Sequence, residues 1–129
     1  RGPAGKRPRD FGLRKGRNAM NHLNTKTYQR SLEVIGLAKA VSRELPVGFG
    51  FLTDQLRRAS ASVVLNLSEG CGKISAKERQ RFFRIARSSV LEVAAILDVA
   101  RMWGVLDEPL YAEGFDLCDH VSALIFRFR

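Results

Sequence analysis

From Thr27 onward, apolar residues recur at the three- and four-residue spacing of an amphipathic helix. Leu32, Val34, Ile35, Ala38 and Val41 form such a stripe, which predicts a first helix from about Thr27 to Leu45. Pro46, Gly48 and Gly50 then break the chain. Successive residues set 100° apart put Leu52, Leu56, Ala59, Val63 and Leu67 on one face. That face predicts a second helix from near Thr53, read as its N-cap, to Gly70 or Gly72. Ser75-Ala-Lys-Glu78 is a capping box, in which the Ser hydroxyl accepts from the Glu78 amide and the carboxylate reaches back. The helix it opens should reach Trp103 and stop at Gly104, a rod of ~28 residues and ~42 Å. Asp107-Glu-Pro109 opens a fourth helix, with Pro in the first turn where its missing N–H costs nothing. Leu110, Phe115 or Leu117, Cys118, Val121, Leu124 and Ile125 supply its apolar stripe. No strand alternation is present. Four helices on short loops predict an all-α, antiparallel up-and-down four-helix bundle.

Composition adds boundaries to this pattern. A chain of 129 residues has room for one domain with a real core. Residues 1–19 are rich in Gly, Pro and Arg and lack apolar pattern, so they are expected to form a basic flexible tail, with the bundle over 20–129. No apolar run approaches the ~18–20 residues of a membrane span, and no apolar segment follows the basic N-terminus as a secretory signal requires. A cytoplasmic setting without membrane contact is therefore expected. Cys71 and Cys118 then read as reduced thiols on separate helices, ahead of a disulfide. With His22 and His120 they show no metal-ligand spacing, and neither a metal nor another cofactor is expected.

Net charge is +9, and its layout is uneven. Residues 1–19 carry seven basic side chains against Asp10, and Arg57 to Arg87 carry eight against Glu69 and Glu78. From Ser88 to Phe126 only Arg101 opposes seven acids. A basic half and an acidic half fit either a polyanionic partner or head-to-tail contact between copies.

The third helix divides along its length. Its first half sets Phe82, Ile85, Ala86, Ser89 and Val90 toward the core and Lys77, Gln80, Arg81, Arg84, Arg87 and Ser88 outward. Its second half continues the core with Val93, Ile96, Leu97, Ala100 and Trp103, yet Leu91, Val99 and Met102 fall on the arc that should meet water. A contiguous exposed apolar set marks an interface, so a homo-oligomer is expected through these three residues. The second helix carries a row of polar positions, Gln55, Arg58, Ser62, Asn66 and Glu69, along its flank. The row reads either as a ligand site or as a hydrogen-bonded network that fixes helix register. The network is preferred for Gln55, Ser62, Asn66 and Glu69, because an unpaired buried polar group costs ~1–3 kcal/mol.

Leu52-Thr-Asp-Gln-Leu-Arg-Arg58, Asn66-Leu-Ser-Glu-Gly70, Lys77-Glu, Arg81-Phe-Phe-Arg-Ile-Ala-Arg87 and Ala100-Arg-Met-Trp-Gly-Val-Leu106 occur here in order. Together with Tyr28-Gln and Ser31-Leu-Glu-Val34 they resemble the four-helix-bundle proteins encoded in intervening sequences of bacterial 23S ribosomal RNA genes. The resemblance covers most of the chain from Met20. It implies an antiparallel bundle assembled into a ring, a pentamer, and leaves the biochemical activity open. Accessory variability determinant proteins of diversity-generating retroelements are similar, and they are basic rings associated with reverse transcriptase and nucleic acid. One departure is Val64, where the family often has Pro; valine keeps its backbone N–H, so a kink there is softened.

Two functions follow. The first is an RNA-associated basic ring in which Arg57, Arg58, Lys73, Lys77, Arg81, Arg84 and Arg87 neutralise phosphates with little sequence preference. Base reading would need exposed aromatics, and Phe82 and Phe83 are assigned to the core. The second is an oligomeric scaffold whose basic half meets an acidic protein. Catalysis is not expected: there is no phosphate loop or nucleophile elbow. Cys71 sits at a helix C-terminus, where the dipole disfavours a thiolate.

Overall fold

The computed structural model describes residues 18–128. The basic tail expected over 1–19 lies, up to residue 17, outside them. A short 3-10 helix, Asn18–Asn24, leads into α1 (Lys26–Glu44), α2 (Gly50–Cys71), α3 (Ala76–Met102) and α4 (Glu108–Phe126). The four helices form an antiparallel bundle with no strand among the described residues. Each packs on its sequence neighbour and α4 closes on α1, so the helices stand in cyclic order. No described helix is long and apolar enough to cross a membrane.

Local chemistry accounts for most helix ends. Thr25 caps α1 by accepting from the Tyr28 amide at 3.1 Å. Ser75 accepts from Glu78 at 3.1 Å, and Asp107 accepts from Leu110 at 2.9 Å. α3 stops where Gly104 takes a φ of +74°, a conformation that L side chains rarely adopt. The start of α2 departs from the sequence reading. Phe49, without a side-chain cap, occupies the N-cap position, and Thr53 lies inside the helix. Gly48, at φ +101°, turns the chain there. α2 then runs uninterrupted through Val64 to Cys71.

Leu56, Leu67, Leu97, Ile125, Val34, Val41 and Val63 are fully enclosed at the centre. Five assignments to the core need correction, among them Phe82, which is only half-buried. Ile35, Ile85 and Phe115 are exposed, and Trp103 is 65% exposed because it lies past the last full turn of α3. Leu37 and Phe83 take the inward places instead, and Phe83 retains only 2% of its surface. On α4 it is Leu117, not Phe115, that packs against the core. Two glycines let the helices approach. A Cβ on Gly70 would stand 2.6 Å from the Phe83 ring, and one on Gly114 would stand 2.8 Å from Leu97 and 2.9 Å from Leu37.

Candidate nucleic-acid interface

Between Glu78 and Glu92, α3 carries Arg79, Arg81, Arg84 and Arg87 and no acid. The fold gives these four different roles. Arg79 turns back under the α2–α3 loop, donating to the carbonyls of Cys71 at 3.1 Å and Lys73 at 3.3 Å. It thus satisfies carbonyls that the end of α2 leaves open, and its guanidinium lies 5.6 Å from the Phe83 ring centre. Arg81 and Arg84 are exposed. Arg81 lies 4.4 Å from the centre of the Phe82 ring, and Lys73 lies 5.3 Å from it. Half-buried Phe82 therefore seats two cations and is not a member of the core. Arg87 leans toward α4, where its Nε donates to Ser122 Oγ at 3.1 Å and its guanidinium lies 5.0 Å from the Phe126 ring centre.

Lys77, Arg81 and Arg84 share one arc of α3, and Lys73 enters from the loop before it. The single described ion pair of these four joins Lys73 to Glu69 at 3.3 Å, one turn back on α2. Arg57 and Arg58 do not belong to this group. They are exposed on the first half of α2, ~20 Å along the axis from its C-terminus. Arg57 lines a shallow groove between α1 and α2 with Lys39 and Arg43, on the opposite side of the bundle from the α3–α4 groove. Charge adjacent in sequence is thereby split over two faces.

The polar row of α2 is also divided. Asn66 Nδ2 donates to Ser62 O and Ser62 Oγ, both at 2.9 Å, and Ser89 Oγ of α3 donates to Ser62 Oγ at 2.8 Å. That cluster ties α2 to α3 at mid-height. Ser89, which the sequence reading assigned to packing, is its third member. Gln55, Arg58 and Glu69 lie outside it on the surface, and Glu69 pairs with Lys73.

The three apolar residues expected at an interface, Leu91, Val99 and Met102, are all exposed but fall into two groups. Val99 and Met102, the latter 88% exposed, form a recess with Trp103. The Trp103 ring meets Phe49 at 5.9 Å, and Phe49 stacks on exposed Phe51 at 5.9 Å. Leu91, also exposed, instead lines the α3–α4 groove beside Phe126. Two acids of α3 and α4 have partners. Arg101 pairs with Glu108 at 3.0 Å, and the Tyr111 hydroxyl donates to Asp98 at 2.6 Å.

The two histidines and two cysteines are held by the fold. His120 Nδ1 accepts from Arg30 Nε at 3.1 Å, and burial together with that cation lowers its pKa. His22 Nε2 and Ser68 Oγ are hydrogen-bonded at 2.9 Å, fastening the 3-10 helix to α2. Cys71 and Cys118 are free thiols; burial raises both, Cys118 to about 12. Among the described residues no cluster of His, Cys, Asp or Glu is placed to hold a metal ion.

Fold and charge together define the class: an all-α, four-helix-bundle protein with a cationic helix end and a separate aromatic-rimmed apolar patch. The family model described as 23S rRNA-intervening sequence protein matches residues 23–127, and the chain belongs to that family. No curated protein sequence matches it.

Proposed function

We propose that the chain is a nucleic-acid-associated binding protein, not an enzyme, that engages RNA phosphates through the α2–α3 end as a homo-oligomer in the cytoplasm. The observation that carries this reading is the group Lys73, Lys77, Arg81 and Arg84, whose only described ion pair is Lys73 with Glu69. Cations answered by so little protein charge are suited to phosphates. Arg87 adds to them on the α4 side, and Arg57 and Arg58 serve a second, weaker contact. The patch of Phe51, Val99, Met102 and Trp103 supports self-association, because such a contiguous apolar surface gains from being covered. A ring of copies would repeat the cationic end and multiply a modest contact through effective concentration.

The test is fluorescence anisotropy of a labelled RNA at ~50 and ~200 mM salt, with the native sequence and with Arg81→Glu/Arg84→Glu. Four phosphate contacts predict a loss of affinity on the order of 10² across that salt range. The double variant should bind far more weakly while its helical circular dichroism is unchanged. The apolar patch also favours a second reading, a scaffold whose ligand is another protein. Salt-insensitive RNA binding, or binding equal in the variant, would support the scaffold and remove the first reading.

A further inference from the structure

Exposed aromatic rings are what the phosphate reading lacked, and of those the structure exposes, Phe126 stands among the cations of α3. An open groove of about 410 Å³ between α3 and α4 is lined by Gln80, Arg84, Arg87 and Ser88 of α3 and Phe126 of α4, over Phe83. Phe126 is 67% exposed at the last turn of its helix. Arg87 lies against one side of its ring, held there by the Ser122 hydroxyl, and the high exposure leaves the rest of the ring open to solvent. No acid lines the groove. Arg84 has no ion-pair partner among the described residues, and Arg87 spends only its Nε on Ser122.

We propose that this groove seats an unpaired RNA nucleotide, its base stacked on Phe126 and its phosphate held by Arg84 and the free end of Arg87. The chemistry on the two sides of the groove is complementary to the two halves of a nucleotide. A flat apolar ring offers a π-face to any base, and two guanidiniums stand at the side for the backbone. Gln80 and Ser88 add polar groups along the α3 wall. A base inside a duplex is already stacked and cannot reach the ring, so the groove selects single strands. The inference rests on the nucleic-acid reading above and sharpens it, from contact with phosphates of any form to a preference for unpaired RNA.

Two RNAs of equal length test it, one single-stranded and one duplex, each with a 2-aminopurine at its centre. The native sequence should bind the single strand more tightly and quench its fluorescence through stacking. Phe126→Leu keeps an apolar side chain beneath Arg87. It should weaken single-strand binding by roughly fivefold to a hundredfold, from the ~1–3 kcal/mol typical of one base–aromatic stack, and leave duplex binding unchanged. Equal affinity of Phe126→Leu for the single strand, or an equal loss on both RNAs, overturns the proposal while Arg81→Glu/Arg84→Glu still tests the phosphate reading. A change in oligomeric mass with Phe126→Leu also overturns it, because the groove with Leu91 would then be a contact between copies. Failure of the native sequence to bind either RNA removes both readings together.

Discussion

Phe83 owes its enclosure to a residue without a side chain. Gly70 opens the hollow on α2 that the ring fills, and a methyl group there would stand 2.6 Å from a ring carbon. Gly70→Ala gains ~1 kcal/mol of helix propensity but overpacks a rigid ring, at ~1–3 kcal/mol. The net effect should be a lower urea midpoint, and Phe83→Leu in the same background should recover part of it. A second residue acts through its proton. Burial pushes the Cys118 thiol up from its usual 9.0 to about 12. A pKa raised by folding contributes stability that is fully present below pH ~9 and lost as pH climbs toward 12. Urea midpoints measured from pH 8 to 11 should therefore fall, and fall less steeply in Cys118→Ala. At neutral pH a thiol reagent should modify half-buried Cys71 well before Cys118.

At the scale of helices, the caps were the most readable feature of the chain. Ser75 and Asp107 act through amides three residues away, so sequence alone specifies both partners. Ser75→Ala should cost ~1 kcal/mol in chemical denaturation and leave RNA affinity where it was. Thr53 misled because a hydroxyl before an apolar run resembles a cap. The true start of α2 is set by contact at a distance, where Phe49 docks on Trp103 and the chain turns at Gly48. The facing of α3 was half readable for a related reason. Phe83 falls on the face of Ala86, Val90 and Leu97, with Ile85 nearly opposite and Phe82 between, and the hollow at Gly70 gives the inward ring its room. The candidate site had the same limit. Arg79, Arg81, Arg84 and Arg87 look equivalent in sequence, yet Arg79 closes the end of α2 and Arg87 is braced on α4. Arg79→Gln should accordingly lower stability more than Arg84→Gln, while Arg84→Gln lowers polyanion affinity more.

At the scale of the whole molecule, among the described residues, the cations of the first half of α3 stand apart from the apolar recess of Val99, Met102 and Trp103 at its C-terminal end. Periodicity could place Val99 and Met102 on an exposed arc, but not show that Phe51 and Trp103 complete the surface. Those two come from segments whose meeting depends on the bundle closing. Val99→Lys/Met102→Lys should reduce the mass found by analytical ultracentrifugation with little change in helix content. A mass equal to that of the native sequence would place the contact between copies elsewhere. Loss of assembly should also weaken RNA binding at a given protomer concentration, since each contact would then act singly.

Trp103 is the sole tryptophan of the chain, and it stands at the rim of that apolar surface. The protein therefore carries its own optical gauge of assembly. Indole emission should be red-shifted when protomers are dilute and move to shorter wavelength as the ring is covered. Titrating concentration in a fluorimeter would read the association constant directly, with no label attached.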